Sequence, residues 1–230
     1  MKKHYSLTVC LFMALSSFLV SCGDSKKSET VSQINGHEYV DLGLPSGIKW
    51  ATCNVGATKP EEFGGYYAWG ETEEKECYDS STYKWCKGSD DTMTKYCTSF
   101  TNGTIDNKTV LAPTDDVAHV KWGGTWRMPT SDELDELHDN CTWTRTIQNG
   151  VKGYKVTSKT NGNSIFLPAA GYRCRTGVDR RGSYGYYWSS LLCSSDSDDA
   201  YYLYILTGSC DWGCYRYYRC YGLSVRPVSE

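Results

Sequence analysis

The chain lacks three features that would assign it to common functional classes. It has no excess of positive charge, because 24 Lys and Arg stand against 27 Asp and Glu, so no electrostatic footprint for nucleic acid is present. It has no uninterrupted apolar run of about 20 residues, the length that a transmembrane helix needs. A disordered composition is also absent, since 40% hydrophobic and 22% charged residues are globular proportions.

Motifs of common enzymes and of metal sites are absent as well. No H-E-x-x-H or C-x-x-C spacing supports a zinc site, although the chain has 12 cysteines and 4 histidines. No G-x-S-x-G elbow and no phosphate-binding P-loop occurs. We therefore predict no catalytic residues, no metal and no cofactor.

The first 21 residues have the pattern of a bacterial lipoprotein signal peptide. Lys2 and Lys3 precede a short apolar run at residues 7–20, and a small residue, Ser21, precedes Cys22. We predict that Cys22 is lipidated and that residues 22–35 form a flexible tether. The alternative is an ordinary signal peptide with a chance cysteine. The anchor predicts a protein held at the outer membrane or cell surface, where disulfides can form.

Residues 36–230 are predicted to form one β-rich domain, because short apolar or aromatic runs alternate with Gly, Asn, Asp and Ser. The candidate strands are residues 38–41, 49–53, 66–69, 154–157, 164–167, 187–190, 201–206 and 224–228. The polar segment at residues 77–97 is predicted to be a long loop over the surface, and a disulfide within it would restrain that loop.

One helix is clear. Thr130 stands three residues before Glu133, which is the spacing of a capping box. Leu134 and Leu137 lie on one face of this helix and are expected to pack inward. The carboxylates in its first turns are better explained by the helix dipole than by catalysis or metal binding.

Six ordered motifs resemble the Fibrobacter succinogenes major paralogous domain family. They are EYVDLGLPSGIKWATCNVGA at 38–57, FGGYYAWGE at 63–71, WRMPT at 126–130, FLPAAGYR at 166–173, YWSS at 187–190 and GLSVRPV at 222–228. The resemblance implies an α+β, C-type-lectin-like fold, β-rich with one clear helix and long irregular loops. It also implies an extracytoplasmic lipoprotein, but it assigns no activity.

The carboxyl-terminal region has an unusual composition. Residues 171–229 contain no Lys, Asn, Gln, Met or Glu, although Lys and Asn together number 23 in the chain. The same region holds 7 of the 9 Arg and 11 of the 19 Tyr. Randomising the adenines of AAY codons gives Tyr, Cys, Arg, Ser, Asp, Gly, Leu and Thr, and it excludes Lys, Gln, Glu and Met. It does not explain the absence of Asn, which stays in that set.

This composition resembles the variable region of a diversity-generating retroelement target, and we place that region at residues 171–221. The alternative is a Tyr-rich family member whose composition is accidental. In both cases, Trp188, Leu203, Ile205 and Val225 are expected to supply the core while intervening loops expose Tyr and Arg, which are enriched at interfaces. The predicted ligand-binding residues are Arg173, Arg175, Asp211, Trp212, Tyr215, Arg216, Tyr217, Tyr218, Arg219 and Tyr221.

The sequence thus favours a surface-tethered adhesin-like protein that binds an extracellular protein or glycan and no nucleic acid. A pilus tip or accessory subunit is the alternative. A minor alternative is an enzyme like the formylglycine-generating enzymes. Those enzymes use a pair of cysteines, which Cys214 and Cys220 of this chain could imitate, although the surrounding residues do not match. The Glu-Pro-Asn and Trp-Asn-Asp motifs of calcium-dependent lectins are missing, so that mode of sugar binding is not implied.

Overall fold

Short antiparallel strands make up most of the fold. The computed structural model describes residues 32–193, 195–206 and 217–230, so the predicted signal peptide, Cys22 and nearly all of the tether lie outside the described residues. The strands are β1 (Gln33–Ile34), β2 (His37–Asp41), β3 (Lys49–Ala51), β4 (Cys141–Gln148), β5 (Val151–Ser158), β6 (Ser164–Pro168), β7 (Tyr172–Cys174), β8 (Gly177–Asp179), β9 (Tyr184–Leu192), β10 (Asp199–Leu206), β11 (Tyr217–Tyr218) and β12 (Val228–Ser229).

The strands form four small sheets. Their orders are β1-β2-β3-β12, β11-β10-β9, β4-β5-β6 and β7-β8, and neighbouring strands are antiparallel. Two helices, α1 (Val117–Trp122) and α2 (Ser131–Asn140), and a 3-10 turn (Pro113–Asp115) complete the described elements. The fold is therefore α+β and mostly β. Among the described residues, no helix combines the length and apolar character needed to cross a membrane.

The expected core residues are buried. Trp188, Leu203, Ile205 and Val225 are each at most 2% exposed. In β10, Leu203 and Ile205 face one apolar cluster, whereas the alternate residue Tyr202 faces another, as the period of two in a strand requires.

The helix predicted from the capping box is α2. The Thr130 hydroxyl accepts from the Glu133 N–H, and the Glu133 carboxylate accepts from the Thr130 N–H. Arg127 adds a two-pronged ion pair to Glu133, at 2.7 Å and 2.6 Å. Leu134 and Leu137 pack inward as expected.

Other local predictions need correction. Residues 66–69 do not form a strand of their own and make one isolated bridge, from Tyr67 to Leu223. Likewise, only the last residue of 224–228 lies in a strand, β12. Strand β4 and helix α1 were not predicted, because β4 alternates Thr with Arg and Trp, and α1 has only six residues, capped by Asp116.

The segment at residues 77–97 contains no helix or strand, as predicted for a long loop, but buried side chains anchor it to the rest of the domain. Tyr78, Tyr83, Met93 and Tyr96 are at most 3% exposed. The first three form a separate apolar cluster with Cys97 and Cys220, whereas Tyr96 joins the main core. The polar residues that suggested a loop lie between these anchors. The cysteines of this segment, Cys77, Cys86 and Cys97, carry free thiols, as do the other described cysteines.

Candidate binding surface

The ten predicted ligand-binding residues fall into two groups. Four of them, Asp211, Trp212, Tyr215 and Arg216, belong to residues 207–216 and lie outside the described residues. Of the other six, Tyr217, Tyr218, Arg219 and Tyr221 follow this segment in the chain, and Arg173 and Arg175 lie in β7 and directly after it. The structure gives these six different roles.

Seven tyrosines form one continuous cluster of rings on a face of the β11-β10-β9 sheet, which we call the tyrosine platform. Its members are Tyr172, Tyr184, Tyr186, Tyr202, Tyr204, Tyr217 and Tyr221. Tyr204 pairs with Tyr186 across the strands, and Tyr202 pairs with Trp188. Alternate residues of β9 and β10 therefore point to the same face.

Tyr217 lies at the centre of the platform. Its ring centroid is 5.0 Å from that of Tyr172, 5.2 Å from those of Tyr186 and Tyr202, and 5.5 Å from that of Tyr221. Each such aromatic pair contributes about 0.5–1.5 kcal/mol beyond its buried area. Burial also raises the pKa of Tyr217 far above its usual value, so its hydroxyl stays neutral. Tyr217 is thus a structural member of the surface as well as a candidate contact.

The platform is only partly open to solvent. Tyr186 and Tyr202 are 5% and 7% exposed, whereas the other five members are half-buried. On one side, the exposed guanidinium of Arg180 lies 4.8 Å from the centroid of the Tyr184 ring. The platform therefore offers solvent a limited aromatic area bordered by a cation.

A cleft of about 250 Å³ adjoins the platform at Tyr221. It is lined by Asp79, Ser80, Asp90, Cys174, Arg175, Tyr218, Cys220 and Tyr221. Tyr218 is 46% exposed, and its ring centroid lies 5.5 Å from that of Tyr221 at an interplanar angle of 70°. The cleft thus brings together three of the predicted residues, Arg175, Tyr218 and Tyr221.

Arg173 connects this region to the segment at residues 77–97. Its guanidinium donates to the carbonyls of Lys75 and Glu76, at 3.2 Å and 3.4 Å, and lies 5.1 Å from the centroid of the Tyr78 ring. Next to it in β7, Cys174 belongs to the cleft. Arg173 is half-buried, so its main observed role is to hold the wall of the cleft in place.

Arg219 does not belong to an exposed surface, and its predicted placement there is corrected. It is fully buried, and its guanidinium donates to the carbonyls of Lys95, Tyr96 and Ser197 and to the hydroxyl of Tyr83. The guanidinium also lies 4.9 Å, 5.4 Å and 5.9 Å from the ring centroids of Trp69, Tyr83 and Tyr96. A buried cation is stable only when hydrogen-bond acceptors and aromatic ring faces surround it. Here these groups come from segments that are distant in sequence.

Several residues of this surface were not singled out from the sequence. Tyr184, Tyr186, Tyr202 and Tyr204 were not named as candidates, although their spacing of two residues within strands would have placed them on one face. The sequence does not predict that the cleft includes Asp79, Ser80 and Asp90, because no local pattern indicates that the segment at residues 77–97 folds back beside β11.

Carboxylates accumulate next to Tyr218. Asp196, Asp198 and Asp199 place carboxylate oxygens within 4.8 Å of one another and are a group, among the described residues, that could surround a metal ion. Burial, a hydrogen bond that protonated Asp198 donates to Asp196, and the neighbouring charges raise the pKa of Asp198 to about 7. The charge of Asp198 in turn raises the pKa of Tyr218.

Cys220 does not have the character of a nucleophile. Burial raises the pKa of Cys220 to about 12, which disfavours the thiolate that a nucleophile requires. Its proposed partner in an enzyme-like pair, Cys214, lies outside the described residues.

Comparison with models of known protein families, with curated proteins and with solved structures gives no match to this chain.

We predict that Arg219→Met lowers the free energy of unfolding by on the order of 3 kcal/mol, because two buried carbonyls and one part-buried carbonyl lose their donor. Chemical denaturation followed by tryptophan fluorescence measures the change. The matched control is Arg175→Met, in which the side chain is exposed and the backbone bonds to Tyr78 are kept, so a change within about 0.5 kcal/mol is expected. Equal effects of the two substitutions would contradict the structural role of Arg219.

We also predict a pH-dependent effect of Asp198→Asn. The folded-state pKa of Asp198, about 7, lies above the value of 3.8 for an unperturbed aspartate. Its ionisation therefore opposes folding, and stability is lost as the pH rises through that folded-state value. The variant should gain stability over the wild type at pH 8 but not at pH 4, as measured by denaturation at both. Asp179→Asn, on exposed β8, is the control, and a gain independent of pH would contradict the assignment.

Proposed function

We propose that this chain is a lipid-anchored surface protein that binds an extracellular protein or glycan through the tyrosine platform, the adjoining cleft and residues 207–216. The observation that carries the proposal is that the platform adjoins the cleft and includes residues on both sides of residues 207–216 in the chain. The segment 207–216 leaves β10 two residues after Tyr204 and returns at Tyr217, and both residues belong to the platform. Tyr218, one residue further on, lines the cleft.

The chemistry of this region supports recognition rather than catalysis. Tyrosine supplies apolar area with a polar tip, and Arg supplies a planar group of donors, so both are enriched among the residues that dominate protein interfaces. The exposed members are Arg175, Arg180 and Tyr218, with the half-buried Tyr204 and Tyr221 beside them. The buried thiol of Cys220, whose pKa is raised, does not favour the enzyme alternative.

We further propose that the fold is C-type-lectin-like and that residues 171–221 are diversified by a retroelement. In support, the mostly β fold has the character that the six family-like motifs imply. The residues that flank the segment 207–216 are fixed by packing, since Leu203 and Ile205 precede it and Leu223 and Val225 follow it, each at most 2% exposed. The chain on both sides of this segment is therefore held by the core, as a variable segment on a rigid scaffold requires.

The binding role predicts that Tyr218→Ala weakens the affinity for a ligand about 30-fold, the effect of losing an interface anchor of about 2 kcal/mol. Ligands are first identified by screening the full chain against immobilised glycans and extracellular proteins, and affinities are then measured by interferometry. Val120→Ala is the matched control, because Val120 is similarly exposed, at 47%, and lies in neither the platform nor the cleft. A ligand whose affinity is unchanged by Tyr218→Ala would contradict this surface.

Diversification predicts a specific arrangement of neighbouring DNA. A reverse transcriptase gene and a near-copy of the sequence encoding residues 171–221 should lie near this gene, and the two copies should differ mainly at adenines of the template. Sequencing the locus checks this expectation. Absence of such a copy removes the retroelement from the proposal and leaves the binding surface unaffected, whereas a fimbrial gene cluster would favour the pilus subunit.

A further inference from the structure

Strand β4 is the outer strand of its sheet. Among the described residues, the sheet has the order β4-β5-β6, and β4 pairs with β5 over eight consecutive residues without a bulge. The described residues supply no backbone partner to the other side of β4 beyond these bonds. This is a long edge for a strand to leave unpaired.

The register identifies the backbone groups that point away from β5. Gln148 and Val151 flank the two-residue turn Asn149-Gly150, whose φ angles of 47° and 84° are those of a type I′ turn. The pair that closes such a turn is hydrogen-bonded, and in an antiparallel pair every second residue pair is hydrogen-bonded. The outward N–H and C=O groups are therefore those of Trp143, Arg145 and Ile147.

The hydrogen bond at the opposite end of β4 assigns the same residues to the inward and outward positions. The N–H of Lys159 donates to the carbonyl of Asn140 at 2.9 Å, which makes Asn140 an inward, hydrogen-bonded residue. Counting by twos from Asn140 reaches Gln148, which is inward as well. Cys141 is then the first outward residue of β4.

This edge carries few of the devices that prevent strands from pairing between molecules. Its sequence, CTWTRTIQ, contains no Lys, Pro or Gly, and Arg145 is its single charged residue. Ile147 is 64% exposed, and Thr142 and Thr144 are exposed as well. Thr, Ile and Trp are residues that favour strands.

The edge is complementary to itself in one antiparallel register. When Thr144 lies opposite Thr144 of the partner subunit, Trp143 lies opposite the partner subunit's Arg145, and Cys141 lies opposite the partner subunit's Ile147. All of these residues except Thr144 have outward backbone groups, so two Trp–Arg pairs and two Cys–Ile pairs are hydrogen-bonded. A register centred on Arg145 would instead place two guanidinium groups opposite each other, which is unfavourable.

We propose that two copies of this chain associate through β4, joining their three-stranded sheets into one six-stranded sheet about a twofold axis at Thr144. The self-complementary register and the placement of each Arg145 opposite a tryptophan favour a second copy over other occupants. The contact is small, so the dimer is expected to be weak, with a dissociation constant of up to about 100 μM.

The test compares Thr144→Glu with Thr146→Glu by sedimentation of the full chain over a range of concentrations. Within a protomer, Glu at 144 lies opposite Lys155, which favours folding, but across the twofold axis it meets its own copy. Glu at 146 lies opposite the partner subunit's Thr142 and meets no like charge. We expect Thr144→Glu to weaken the dimer at least several-fold and Thr146→Glu to leave it within twofold.

A second pair of variants tests the backbone bonds. Arg145→Pro removes an N–H that β5 does not use, so the fold is kept while the dimer is lost. Arg145→Thr removes the same charge but keeps the N–H, and it should retain most of the dimer. A wild-type chain that stays monomeric at about 100 μM overturns the proposal. So does a dimer that is insensitive to both Thr144→Glu and Arg145→Pro, which would assign the contact to another face or to residues 1–31.

Discussion

The buried guanidinium of Arg219 is the interaction on which the arrangement of this surface depends. It joins the carbonyls of Lys95 and Tyr96, which belong to a segment more than 120 residues away in sequence, to that of Ser197, which precedes β10. A buried charge is tolerated only when such partners satisfy it, and here they satisfy it only if all three segments meet. Arg226 acts similarly, since it donates to Asn54, Ala51, Thr52 and Phe166.

Arg219 also fixes the position at which the chain resumes after residues 207–216. Its side chain donates to the carbonyl of Ser197, which precedes β10, and Tyr217 pairs with Ala200 near the start of that strand. Leu206, which precedes the segment, lies at the opposite end of β10 and pairs with Tyr184. The described residues on both sides of the segment are thus held by the sheet, which is the kind of rigid scaffold on which binding segments are commonly carried.

How far the sequence predicts this structure differs from element to element. The capping box of α2 and the strands around Trp188 and Leu203 were predictable, because their signals lie within a few residues of one another. Arg219 was misplaced for the opposite reason. Its neighbours in sequence, Tyr218 and Tyr221, suggested an interface, but its burial is decided by Trp69, Tyr83 and Tyr96, which no local pattern connects to it. Asp79 and Asp90, which line the cleft, likewise come from a part of the chain remote in sequence from Tyr218.

Tyrosine serves two purposes in this molecule, and burial distinguishes them. Tyr186 and Tyr202 lose nearly all contact with water and act as packing residues, and Tyr217 joins them through four ring contacts. Tyr218 follows Tyr217 directly, yet it points to the other side of the two-residue strand β11 and remains exposed. An abundance of tyrosine therefore overstates the area available for binding. Because few rings are open, affinity must come from a small number of anchors, and these anchors are held in position by the tyrosines that cannot reach a ligand.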